Sequence, residues 1–116
     1  MKRDDFVRNA IVRKVVDGDT IEVDIDLGFH VRGVHRLRLA GINTPEIRGP
    51  ERPFGLQSKA YVEELLPVGT EVAMRSQKDG KYHNRYIADL WLDVGGKEVH
   101  INTHLVERGL AHYKEY

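Results

Sequence analysis

The chain has no cysteine, which removes thiol nucleophiles, disulfide staples and thiolate metal sites from consideration. It has only four prolines, far from the content of a collagenous or disordered chain. No stretch approaches the roughly eighteen apolar residues of a membrane-spanning helix, so no membrane partner is expected. Net charge is also missing, because eighteen basic and eighteen acidic residues cancel. Met1 to Val16 carries five bases but no apolar core of a secretory leader, which favours the cytoplasm. What is present is the composition of a soluble globular protein, 41% hydrophobic and 31% charged over 116 residues. That length suits one domain, residues 1–116, which is expected to be a monomer burying about two-thirds of its unfolded surface.

The charges cancel in sum but not in place. Asp17 to Asp26 holds five acids and no base, whereas Leu27 to Lys59 holds six bases against two acids. An acidic segment beside a basic one is the distribution that a combined cation and phosphate site requires, although two solvated faces of opposite sign would look the same.

The dominant period is two. Ile11–Val16 reads as a strand, and Asp17-Gly18-Asp19 as a turn. In Thr20–Leu27 the apolar Ile21, Val23, Ile25 and Leu27 alternate with three acids, which marks a strand buried on one face. His35–Ala40 alternates again, placing Leu37 and Leu39 inward and Arg36 and Arg38 outward. Glu71–Arg75 and Tyr86–Leu92 are further strands, and Gly95-Gly96 joins the second to Glu98–Ile101 as a hairpin. Helical spacing appears in Gly55–Leu66, which Pro67 and Gly69 end, and in a short helix to Arg108 with Asn102 as N-cap and Gly109 at its C-terminus. Thr44–Phe54, with three prolines and a glycine, reads as a shaped surface loop. The expected fold is mainly β with helices: a small Greek-key barrel of five or six strands plus two short helices.

Three elements carry chemistry. Val15-Val16-Asp17-Gly18-Asp19-Thr20 puts two carboxylates on a tight turn, where hard oxygens can converge on calcium, although an Asp-Gly turn alone is common. Arg38-Leu39-Ala40-Gly41-Ile42-Asn43-Thr44-Pro45-Glu46 runs from an arginine at a strand end to a loop with an amide, a backbone carbonyl and a carboxylate. Lys81-Tyr82-His83-Asn84-Arg85-Tyr86 is a cationic, aromatic loop able to stack a base and grip a phosphate. His100 and His104 have the spacing of a helical metal pair, but the helix start at Asn102 splits them and no third ligand is evident. Trp91 is expected to pack across strands, and Asp24 and Asp26 to lie on a solvated strand face.

Taken in order, Val16-Asp17-Gly18-Asp19-Thr20, Arg38-Leu39-x-Gly41-Ile42-x-Thr44-Pro45-Glu46, Lys81-Tyr82…Arg85-Tyr86 and Leu105-Val106-x-x-Gly109-Leu110-Ala111 make the chain resemble the staphylococcal nuclease (thermonuclease) family. The resemblance implies a five-stranded OB-fold barrel with its active site on the outer wall. It also implies calcium-dependent hydrolysis of DNA or RNA phosphodiesters to 5′-hydroxyl and 3′-phosphate ends. By motif position Asp19, Asn43 and the Thr44 carbonyl match the calcium ligands, and Glu46 matches the carboxylate that orients the attacking water. Arg38 and Arg85 match the arginines that hold the scissile phosphate, and Lys81 and Tyr82 match residues near the nucleotide's outer phosphate and base. The chemistry agrees, since a phosphodiester anion needs local positive charge and an oriented water before it can be attacked.

Two positions depart from the family pattern: Asn43 stands where most members have aspartate, and His83-Asn84 where a single glycine is usual. The competing expectation is a catalytically weakened barrel module that binds nucleic acid or a protein. With zero net charge, binding to long nucleic acid should be modest and salt-sensitive.

Overall fold

A computed structural model describes residues 7–77 and 86–114. Strands β1 (Val7–Asp17), β2 (Thr20–Asp26) and β3 (Arg32–Leu39) form an antiparallel meander. β4 (Ile42–Asn43) and a single 3-10 turn (Gly49–Glu51) lead into helix α1 (Arg52–Leu65). β5 (Glu71–Gln77), β6 (Tyr86–Val94) and β7 (Lys97–His100) follow, then helix α2 (Ile101–Glu107) and β8 (His112–Tyr113). β5 pairs antiparallel with both β1 and β6, and β3 pairs in parallel with β6 through Leu37–Tyr86 and Leu39–Ala88. That last pairing closes a five-stranded barrel in the order β1-β2-β3-β6-β5, the Greek-key barrel expected from the strand pattern and the OB type that the family resemblance implies. No helix among the described residues is long and apolar enough to cross a membrane.

The inward residues are those that the alternation picks out. Ile21, Val23, Leu37, Leu39 and Leu90 are fully buried, and the helices pack on them with Val62 of α1, Leu66 just after it, and Ile101 and Leu105 of α2. Each such side chain contributes roughly 1.5–3 kcal/mol through burial. Trp91 packs across strands as expected, its ring 5.3 Å from that of His100 with the Arg75 guanidinium over it.

Three boundaries differ from the sequence reading, each for a local reason. β1 starts at Val7 rather than Ile11, because pairing with β5 continues from Ile11–Glu71 back to Val7–Arg75. α1 starts at Arg52 rather than Gly55, since a proline in the first helical turn forfeits no hydrogen bond, so Pro53 begins the helix instead of ending the loop. α2 is capped at His100, the residue at which the preceding hairpin ends. Asn102 is therefore not a cap. It lies inside the helix, 2% exposed, where its Nδ2 donates to the Ala40 and Ala88 carbonyls (2.9 and 3.1 Å) and its Oδ1 accepts from the Leu90 N–H at 3.1 Å. The amide thus satisfies backbone groups at the seam where β3 and β6 part. At the other end of α2 the sequence reading holds. Gly109 adopts φ 75°, and the Gly109 and Leu110 N–H groups donate to the Val106 and Leu105 carbonyls, the crossed pair that closes a helix through a left-handed residue.

Two glycines bring α1 against the barrel. A Cβ on Gly18 would lie 2.9 Å from the Ser58 Cβ, and one on Gly55 would lie 2.1 Å from the Glu46 carbonyl oxygen. Both contacts join α1 to the chain segments that hold Asp19 and Glu46. Gly55→Ala is therefore expected to push the segment 45–47 off the helix at a cost of roughly 1–3 kcal/mol or more, read as a lower denaturant midpoint at unchanged m.

Candidate active site

The β1–β2 turn is drawn tight because the Asp17 Oδ1 accepts the Asp19 N–H at 3.1 Å. The Asp19 carbonyl then accepts the Leu39 N–H at 2.8 Å, which pins the turn to the end of β3. Arg38, one residue earlier, projects beside Asp19, with 3.3 Å between its Nη2 and the Asp19 Oδ2. Its Nη1 donates to the Leu39 carbonyl at 3.1 Å and its Nη2 to the Asn43 Oδ1 at 2.7 Å. The same Asp19 Oδ2 accepts the Thr44 N–H at 2.9 Å, and Oδ1 accepts the Thr20 hydroxyl at 3.3 Å. Asn43 itself is held by backbone pairing with His112, an antiparallel bridge absent from the sequence reading.

Here one expectation needs correction. Arg36 is exposed, but Arg38, also expected to point outward, is only 4% exposed. Alternation does put it on the side of β3 opposite Leu37 and Leu39, yet the loop through Asn43 and Thr44 folds over that side, Asn43 accepting from Arg38 and the Thr44 N–H donating to the neighbouring Asp19.

These groups line one cavity of about 200 Å³ with Asp17, Asp19, Thr20, Arg38, Asn43, Thr44, Pro45 and Glu46 in its wall. Five of the eight sequence-selected residues, Asp19, Arg38, Asn43, Thr44 and Glu46, thus meet in one place. The other three, Lys81, Tyr82 and Arg85, lie outside the described residues. Asp17 is a further member that the motif contained but the ligand assignment passed over. Among the described residues no salt bridge engages the exposed Glu46 carboxylate; the loop that carries it is shaped instead by the Glu46 N–H donating to the Glu51 Oε1 at 3.0 Å. His100 and His104 do not converge. The His100 Nε2 meets the Asp89 Oδ1 at 2.9 Å, while the His104 Nε2 meets the Tyr61 hydroxyl at 2.7 Å.

The two turn carboxylates titrate apart. Burial, and then the neighbouring Asp19 carboxylate, push Asp17 up to about 6. Burial acts in the same direction on Asp19 but is outweighed by hydrogen bonding from Asp17, the Arg38 charge and the Thr44 N–H, which together hold it below its ordinary value.

As ligands, the Asp17 and Asp19 carboxylates, the Asn43 amide oxygen and the Thr44 carbonyl are hard oxygens of the kind calcium takes. They fit that ion in type while offering little charge: among the described residues no three His, Asp or Glu side chains cluster as a metal site. The Arg38 guanidinium already spans Asp19 and Asn43, so it competes with any cation for the same two oxygens.

The chain is thus a closed five-stranded barrel of the OB type, with an outer-wall cavity of carboxylates, amide and buried arginine. The staphylococcal nuclease homologue family model matches residues 36–116, and the chain belongs to that family. Thermonuclease of Staphylococcus hyicus is 34% identical over 111 residues, covering 90% of this chain and 59% of that protein. Thermonuclease of Staphylococcus intermedius is 32% identical over 112 residues, covering 91% and 60%. The chain therefore spans about 60% of the length of these relatives. Among solved structures, the human TDRD1 extended Tudor domain, in complex with a symmetrically dimethylated peptide, aligns with a TM-score of 0.53 over 98% of this chain and 68% of that one. At 9% identity it supports the fold alone.

Because the folded Asp17 pKa lies above the ordinary 3.8, the folded protein holds a proton that the unfolded chain releases. Its contribution is complete below about pH 4 and is lost as pH rises through about 6. In chelator, Asp17→Asn keeps the acceptor for the Asp19 N–H. The variant should match the parent near pH 4 and exceed its stability at pH 8, by on the order of 1 kcal/mol once solvent screening is allowed for. Parallel denaturation curves at the two pH values check this.

Proposed function

We propose that the protein is a calcium-dependent nuclease that hydrolyses DNA or RNA phosphodiesters to 5′-hydroxyl and 3′-phosphate ends. The observation that carries this reading is the meeting of Asp19, Arg38, Asn43, Thr44 and Glu46 around one polar cavity, within a chain of the nuclease homologue family.

The roles follow from chemistry and position. Asp17, Asp19, Asn43 and Thr44 would hold the ion, which when bound supplies positive charge to a phosphoryl oxygen and lowers the pKa of bound water. Glu46, exposed at the cavity wall, orients the attacking water and takes its proton. Arg38 stands ready to donate to a non-bridging phosphate oxygen in exchange for its bond to the Asn43 Oδ1. Arg85, outside the described residues, matches by motif position the second arginine that holds the scissile phosphate.

One observation favours a second reading. Arg38 is buried and fully engaged with Asp19, Leu39 and Asn43, which is also what a structural arginine in a binding module would look like. The two readings part on heat-denatured DNA. The nuclease reading expects digestion with calcium, none with chelator, and a loss of about 10²–10⁴-fold in Glu46→Gln, the usual contribution of a general base. Intact DNA in every lane, with binding retained, would move the assignment to the module.

The amide at position 43 sets the metal affinity on this reading. Ligand charge count governs calcium binding, so Asn43→Asp should tighten calcium about tenfold, the equivalent of roughly 1.4 kcal/mol. Isothermal calorimetry without substrate measures this directly, and an unchanged affinity would remove Asn43 from the ligand set.

A further inference from the structure

Glu46 is exposed at the wall of the reaction cavity, and no salt bridge among the described residues engages its carboxylate. An exposed glutamate samples several rotamers, so the reach of this one is set chiefly by where its backbone is held. The start of α1 holds it. The Glu46 N–H donates to the Glu51 Oε1 at 3.0 Å, and the Arg52 Nη1 donates to the Ile47 carbonyl, also at 3.0 Å. Both side chains reach back five residues across the 3-10 turn. Between these bonds the Glu46 carbonyl lies so close to Gly55 that a Cβ there could not fit. On the other side Pro45 has its φ fixed by its ring, and the Thr44 N–H is tied to the Asp19 carboxylate.

Two features of α1 show that these side chains serve the loop rather than the helix. Glu51 is the N-cap residue, yet its side chain makes no capping bond, where a capping oxygen would accept an N–H two or three residues further on. Arg52 opens the helix, where the positive end of the macrodipole disfavours a cation. The first turn contains no acid to offset it. Local choices that weaken a helix start mark a place where another requirement has prevailed. Here both polar heads are turned onto the two residues at the cavity wall, Glu46 and its successor.

We propose that Glu51 is a positioning residue for Glu46: by accepting the Glu46 N–H it fixes the backbone from which the water-orienting carboxylate extends. This rests on the nuclease reading and deepens it, because it ties the proton-transfer step to a residue that does not line the reaction cavity. Glu51 acts through Glu46 alone, and it acts as an acceptor rather than as a charge. An amide oxygen at the same place therefore serves as well.

The test follows cleavage of heat-denatured DNA with calcium in the parent, Glu51→Ala, Glu51→Gln, Glu46→Gln and the Glu46→Gln/Glu51→Ala double variant. Glu51→Ala should lower kcat about 10- to 100-fold, the order expected when a reacting group is displaced by about 1 Å. KM, and calcium affinity measured by calorimetry without substrate, should stay as in the parent. Glu51→Gln should recover most of the rate. In the Glu46→Gln background, removing Glu51 should cost nothing further, because residues that act as a unit are not additive. In chelator, the Glu46 amide proton should move upfield in Glu51→Ala but not in Glu51→Gln, which reads the hydrogen bond without reference to activity.

A Glu51→Ala variant that cuts as fast as the parent overturns the positioning role and leaves the nuclease reading in place. So does a loss confined to KM or to calcium affinity, a Glu51→Gln variant as slow as Glu51→Ala, a full additive loss in the double variant, or an unmoved Glu46 amide. A parent that leaves DNA intact under calcium removes the nuclease reading, and the positioning role with it.

Discussion

The buried Arg38–Asp19 pair, with 3.3 Å between Nη2 and Oδ2, sets the terms for everything around it. Taking two ions out of water costs several kcal/mol apiece, and their mutual attraction repays this only when the remaining donors and acceptors are also satisfied. The surrounding chain does satisfy them. Asp19 takes the Thr20 hydroxyl and the Thr44 N–H, while Arg38 gives to the Leu39 carbonyl and the Asn43 amide. No buried side-chain polar atom among the described residues lacks a partner. The pair is therefore a clamp as much as a site: it fixes the β1–β2 turn, the end of β3 and the loop carrying Asn43 and Thr44 to one another.

The clamp would have little to hold if the far side of that loop were loose. α1 supplies the opposing surface, and the absence of side chains at Gly18 and Gly55 lets it approach to contact distance. Ser58 on the same helix donates to the Leu110 carbonyl at 2.8 Å, and the chain after Leu110 returns as β8 to pair with Asn43. The cavity wall is thus braced from the barrel, from α1 and from the C-terminal strand. Rigid placement of this kind is what hydrolytic chemistry needs, since a misplacement of about 1 Å can cost on the order of 100-fold in rate.

Much of this was legible in the residues. Alternation located the barrel strands and their inward faces, and the punctuation by Pro67, Gly69 and Gly109 located the helix ends. The family resemblance carried by the motif order grouped Asp19, Arg38, Asn43, Thr44 and Glu46, the residues that share the cavity. What sequence could not carry was long-range. Period two assigns Arg38 to a face of β3, but whether that face meets water depends on where a loop several residues later folds. Asn102 has the chemistry of a cap and of a backbone bridge alike, and only the seam between β3 and β6 decides between them. β4 and β8 are two residues each, too short for any period to register. Asp17 stood in plain view in the turn motif, yet its separation in pKa from Asp19 depends on burial and on Arg38, both tertiary.

The charge balance of the cavity gives the asparagine a meaning that ligand counting alone does not. Asp17, Asp19 and Glu46 share the cavity wall with Arg38, a formal −2 when all are ionised. On the proposed reading a divalent cation brings that cavity to neutrality, and the diester enters with no net repulsion to overcome. An aspartate at position 43 would hold the ion more firmly but leave the loaded cavity at −1, which opposes an anionic substrate at contact range, where screening is weak. It would also give Arg38 a full carboxylate to hold in place of an amide oxygen, making the exchange of that guanidinium onto a phosphate harder. Asn43 therefore trades affinity for the cation against readiness toward the anion, and in a domain of zero net charge, with no long-range attraction to draw nucleic acid in, that readiness is the scarcer of the two.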